Sequence, residues 1–142
     1  MKKIVIFLVI IVVVVCVVMF QYNSYKRYQN QIKSENNEFE QFTNQEEIYG
    51  IDLATIINKS INVNEKNNIS KDDKGYFIPN DTNSIEVEIY IKESDTTYRM
   101  EQIYKQGTEQ FVQFFINEKF KCSKVEYHKK TNRIKYMLFE QI

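Results

Sequence analysis

Residues able to do chemistry are few in this chain, and their spacing keeps them apart. His128 is the only histidine, and Cys122 is the only cysteine outside an apolar N-terminal run. Along an unbroken strand, six residues at ~3.3 Å each put them about 20 Å apart, too far for a thiolate–imidazole pair. One histidine and one cysteine do not make the usual zinc ligand set, and a lone body cysteine excludes a disulfide within the body. Asp72-Asp73-Lys74-Gly75 lacks the alternating oxygen ligands of a calcium loop and reads as a solvated turn. Three glycines in the whole chain offer no phosphate cradle. Strand pairing is expected to set Glu88 opposite Glu101. Such carboxylates raise each other's pKa when buried, but Arg99 beside them favours an exposed, relieved pair. No enzyme, no cofactor and no metal site is expected.

What the polar residues do offer is an uneven distribution of charge. The chain carries 19 basic and 19 acidic residues. Setting aside Lys2 and Lys3 leaves a body near −2, which excludes a generally nucleic-acid-binding surface. Between Asp81 and Glu101 the balance is about −4, with six acidic residues against Lys92 and Arg99. Between Asn117 and Met137 it is about +5: Lys119, Lys121, Lys124, Lys129, Lys130, Arg133 and Lys135 against Glu118 and Glu126. These seven residues are the candidate patch for an anionic surface or for self-association.

The elements that must carry these residues begin with Ile4–Phe20, IVIFLVIIVVVVCVVMF, seventeen apolar residues without charge, Gly or Pro. As a helix the run is about 26 Å long at ~1.5 Å per residue, close to a ~30 Å hydrocarbon core. Tyr22, Tyr25 and Tyr28 follow where an aromatic belt belongs. The run ends Val-Val-Met-Phe-Gln-Tyr with no A-x-A-like cleavage triplet, so an uncleaved anchor is expected. Cys16, preceded by Val15, reads as a small apolar residue of that helix. Lysines and arginines stand on both sides of the span. The short basic start resembles the n-region of a signal anchor, which predicts a cytoplasmic amino terminus and a body outside.

Tyr25, Tyr28, Ile32, Phe39 and Phe42 continue a heptad-like stripe in phase with Val18, predicting an amphipathic helix over 21–48 that extends the anchor. After the break at Tyr49-Gly50, Asp52 reads as the N-cap of a second helix with Leu53, Ile56, Ile57 and Ile61 on one face. Asn64–Ser84 reads as an irregular connection pinned by Tyr76, Phe77 and Ile78. Ile85–Lys92 alternates cleanly as a strand and turns through Glu93–Thr96 into a second strand, Thr97–Tyr104. That hairpin sets Ile91 beside Tyr98 and Ile89 beside Met100. Thr108 caps a helix through Asn117 with Phe111, Val112, Phe114 and Phe115 buried. A last hairpin, Phe120–His128 and Arg133–Gln141, sets Tyr127 by Ile134, Val125 by Tyr136 and Glu126 by Lys135, with a bulge near Ser123-Lys124 and both faces covered. The expected body, 49–142, is an α+β domain on a four-stranded, mainly antiparallel sheet in the order α-α-β-β-α-β-β, behind an anchor over 1–20.

A short basic start, one apolar helix running into an amphipathic one, and a small antiparallel domain together resemble type IV pilins and pseudopilins. The resemblance is architectural. The Gly before the cleavage point and the Glu five residues into the apolar run that define those families are absent, since Met1–Phe20 holds neither residue type. The segment Ile48–Asn58 is similar to segments of small membrane-anchored proteins of low-GC Gram-positive bacteria. Lysine outnumbering arginine, with abundant Asn and Ile, fits an AT-rich bacterial genome. In such a chain the sequons at Asn58, Asn68 and Asn80 are chance occurrences. The expectation is a cell-membrane protein with a single span, in a structural or assembly role, as a homo-oligomer or with another surface protein. The alternative is a monomeric anchored module that binds a protein or an anionic cell-surface polymer.

Overall fold

The computed structural model describes residues 2–142. The chain divides into two units, one ending at Ser34 and one running from Glu35 to Ile142. Helix α1 (Lys2–Thr43) is continuous through Phe20 and Gln21, as the unbroken stripe predicts. In the first unit the large apolar side chains from Ile4 to Phe20 are 43–73 % exposed, an apolar surface with no protein against it. An 18-residue stretch with mean hydropathy 3.4 makes this helix long and apolar enough to cross a membrane. No other helix among the described residues passes that test.

The second unit is α+β. After the last turns of α1 come β1 (Ile48–Tyr49), α2 (Gly50–Lys66), β2 (Glu86–Ile91), β3 (Thr96–Arg99), α3 (Met100–Gln106), α4 (Thr108–Phe115), β4 (Lys119–Tyr127) and β5 (Ile134–Gln141). The sheet has five strands in the order β1-β4-β5-β2-β3. Three of the pairings are antiparallel; β2 and β5 run parallel, with Ile89 beside Phe139. The four-stranded sheet expected from the sequence is thus corrected to a mixed, five-stranded one. The fifth strand, β1, pairs only Ile48 with Phe120 and Tyr49 with Lys119, too short to show any period.

One core lies on one face of this sheet. Leu53, Ile56, Ile57 and Ile61 of α2, spaced along one helical face, pack with Val87, Ile89 and Ile91 of β2, Phe120 of β4, and Met137 and Phe139 of β5. Phe39 of α1 belongs to the same core, and Phe42 packs at its edge. On the other face Tyr136 and Leu138 are only half-buried and Glu140 is exposed, so the last hairpin is covered on one side, not two. Asp52 sits at the third position of α2 rather than as its cap, and its carboxylate accepts the Tyr49 backbone N–H at 2.9 Å.

The first hairpin departs most from expectation. Ile91 pairs with Thr96 and Ile89 with Tyr98, two residues from the expected register, and Glu88 opposes Arg99 rather than Glu101. The strand stops at Arg99 because the chain turns helical. Met100 and Ile103, three apart, are both buried, and the Gln102 side chain accepts the Arg99 N–H at 2.8 Å. Gly107, at φ +105°, then separates α3 from α4 and occupies the cap position expected for Thr108, whose hydroxyl instead reaches Asn58 at 3.3 Å. In the last hairpin the bulge between Cys122 and Lys124 is where it was expected. A second irregularity between Glu126 and Tyr127 moves Val125 to Met137 and Glu126 to Tyr136, while Tyr127 stays by Ile134.

Candidate functional site

A concavity of about 620 Å³ opens between the β2–β3 turn and the α3–α4 corner of the globular unit. Its floor is apolar: Ile91 at the end of β2, Ile103 of α3 and Phe111 of α4 are all buried core residues. Tyr98 of β3 and Phe115 of α4 line its sides. The aromatic wall is a cluster of tilted and edge-on rings, with Phe111 4.8 Å from Phe115 and both rings within 6.4 Å of Phe120. Polar groups sit at the mouth: Glu93 and Ser94 on the turn, Gln106 and Gln110 on the helices. Glu93 is the only charged residue in this lining.

Each wall has a local reason to stand where it does. The turn Lys92–Asp95 closes through Asp95 at φ +48°, whose carboxylate accepts the Tyr90 hydroxyl at 2.8 Å. The Glu93 N–H donates to the Gln141 side chain at 3.4 Å, and Gln141 donates on to Glu118 at 3.0 Å, tying the turn to the end of β5. On the opposite wall, α4 is only eight residues long and turns Phe111 and Phe115 toward Phe120. Phe114, expected to be buried, is 79 % exposed at the mouth of the cleft, because the space beneath it is the cleft itself. A Cβ on Gly50 would fall against the Phe115 carbonyl, so the start of α2 meets the end of α4 in close backbone contact.

The basic residues singled out from the sequence are not gathered into one free patch. Lys119 pairs with Glu47 at 2.6 Å, Lys124 with Glu126 at 2.6 Å, Lys130 with Asp81 at 3.6 Å, and the buried Arg133 with Glu35 at 3.9 Å. The Glu47 carboxylate pushes the Lys119 pKa up, and Lys124 pulls Glu126 down. Lys121 and Lys129 are exposed and Lys135 is half-buried. Lys119, Lys121 and Lys124 lie along the nine residues of β4, roughly 30 Å of strand at ~3.3 Å per residue, Lys129, Lys130 and Arg133 on the turn beyond it, and Lys135 on β5. Exposed pairs of this kind contribute little stability, but they neutralise most of the expected excess.

The other candidates also resolve individually. Cys122 faces Phe139 across the ladder, and burial pushes its thiol up, away from the reactive thiolate. His128 is buried, with Nε2 2.7 Å from the Ser84 carbonyl, so that nitrogen donates. Glu101, expected on a strand facing Glu88, is buried in α3 and accepts from Arg99 Nη2 at 3.2 Å and the Phe77 N–H at 3.1 Å. Glu88 accepts the Tyr136 hydroxyl at 2.7 Å on the open face. A second concavity of about 430 Å³ is lined by Lys71, Lys74 and Lys105 but also by the Glu101 side chain. Among the described residues no three His, Cys, Asp or Glu side chains converge as a metal site would need. The sequence named Phe111, Phe114 and Phe115 without seeing the cleft. The signal was three phenylalanines in an eight-residue helix, more aromatic surface than two turns can bury on one side.

No family model, no curated protein and no solved structure matches the chain.

Proposed function

We propose that this chain is a single-pass membrane protein with a structural or assembly role, whose globular unit works by non-covalent docking through the cleft between the β2–β3 turn and α4. In this reading the apolar helix anchors the chain with its amino terminus in the cytoplasm, and the globular unit stands outside. The observation that carries it is Phe114, a large aromatic side chain held in solvent beside an apolar cleft. Exposed aromatic anchors next to pockets are the residues that dominate protein interfaces. The architectural likeness to pilin-type subunits supports an assembly role, by a route other than their processing, since the defining Gly and Glu are missing. The paired state of Lys119, Lys124 and Lys130 weighs against the basic hairpin as the main contact.

The test compares gently solubilised native membranes carrying wild type, Phe114→Asp or Ile78→Asp. Ile78 is an exposed apolar residue on the loop before β2, outside the cleft lining. Wild type and Ile78→Asp should migrate as a complex larger than one chain, and Phe114→Asp should not. A wild type that migrates as a single chain refutes the docking reading.

A further inference from the structure

Phe114 and the cleft are a knob and a hole on one surface, and the knob stands on the rim of its own hole. A patch with both features can meet its own copy about a two-fold axis, with the knob of each copy at the hole of the other. We propose that the occupant of the cleft is Phe114 of a second copy of this chain, so that two globular units form an isologous pair with two equivalent insertions. This rests on the docking reading above and names its partner.

Two further observations favour a second copy. The first is charge. A two-fold contact sets every charged group near its axis against its own kind, which is costly. The lining carries a single charged residue, Glu93, at the solvent-facing turn, while the helical side offers the uncharged amides of Gln106 and Gln110. Amides both donate and accept, so a side chain of this type can pair with its own symmetry mate. The second is the anchor. A helix long and apolar enough to cross a membrane confines copies to one surface. That raises their effective concentration, so a contact built on two aromatic insertions suffices.

The experiment uses the full chain in mild detergent, with two differently tagged forms expressed together. Wild type should have the mass of two chains by light scattering, and each tag should capture the other. Phe114→Asp removes the knob, and Gln110→Trp fills the mouth of the hole. Each alone should weaken pairing at least about tenfold, as loss of a central aromatic anchor does. Mixed together, knob-less and hole-filled chains should capture each other again through the one intact insertion, and neither should capture itself. Both substitutions are at exposed positions, and unchanged thermal melting confirms that the fold is intact. Purified wild type that is a single chain, while the complex in native membranes persists, overturns the second-copy inference and leaves the docking reading with another protein as partner. A single chain in both preparations overturns both. A pair that survives Phe114→Asp places the contact elsewhere and overturns the inference.

Discussion

Replacing Asn64 with alanine should cost this fold more than its size suggests. Asn64 lies in the last turn-and-a-half of α2, fully buried, and its side-chain amide grips one residue of the chain entering β2. Nδ2 donates to the Ile85 carbonyl at 2.8 Å, and Oδ1 accepts the Ile85 N–H at 2.8 Å. Ile85 is itself buried, so alanine leaves one donor and one acceptor without a partner and without water. Each such orphan costs about 1–3 kcal/mol, and partial entry of water into the vacated space favours the lower half, about 2–4 kcal/mol in all. With no tryptophan in the chain, tyrosine fluorescence of the full protein in detergent reports urea unfolding. At about 1–3 kcal/mol per M, that loss moves the midpoint down by roughly 1–3 M. Asn64→Asp supplies an internal control with a definite sign. It keeps the acceptor for the Ile85 N–H, but only its protonated form can donate to the Ile85 carbonyl, so the fold raises its pKa. Relative to wild type, its stability is therefore greatest at low pH and falls as the carboxyl ionises. An alanine variant within about 0.5 kcal/mol of wild type, or an aspartate variant whose deficit against wild type is smaller at pH 7 than at pH 4, would refute this account of how β2 is held.

Gly50→Ala should destabilise by about 1–3 kcal/mol through overpacking, since the new methyl meets the Phe115 backbone, which cannot swing aside as a side chain can; a neutral result in the same urea titration would show that α4 yields freely. Burial, and then the Glu88 carboxylate, hold the Tyr136 phenol above its usual range. Its contribution to stability is full below the ordinary tyrosine value near 10 and is lost as pH rises through the folded value. Ultraviolet titration should therefore show a late phenolate step that Tyr136→Phe removes, and an unchanged titration would count against the Glu88 contact. In the anchor, Val12→Arg should cost roughly 2.5–3.5 kcal/mol of insertion, read as loss of the chain from carbonate-washed membranes; full retention would mean that the apolar run is not the span.

How much of this was legible in the sequence depended on the range over which each signal acts. The apolar run, the face of α2 and the alternation of Val87, Ile89 and Ile91 are local periodicities imposed by burial, and they read directly. The bulge at Ser123 read because Phe120 and Cys122 fall out of step with Val125 within a few residues. The parallel pairing of β2 with β5 did not read, because nothing in either strand encodes which edge it joins across more than forty intervening residues. Met100 fitted both the strand period from Tyr98 and the helix period to Ile103, and the Gln102 cap decided for the helix. The cleft was illegible for a further reason. Hydrophobic residues predict burial one by one, and Phe114 is the case in which the fold has no more core to give.

The position of β5 has a consequence for how the protein comes to exist in the cell. It is the last of the five strands in sequence and the central one in the sheet, hydrogen-bonded to β4 on one side and β2 on the other. Until residues 134–141 emerge from the ribosome, β2 with its short partner β3 is an isolated hairpin, and β4 has only the two residues of β1 beside it. Two-stranded pieces of this kind are marginal in water. The sheet cannot close before residues 134–141 are made, and its non-local pairings slow folding of the globular unit. In that interval the future inner edges of β2 and β4 are open to any strand that arrives.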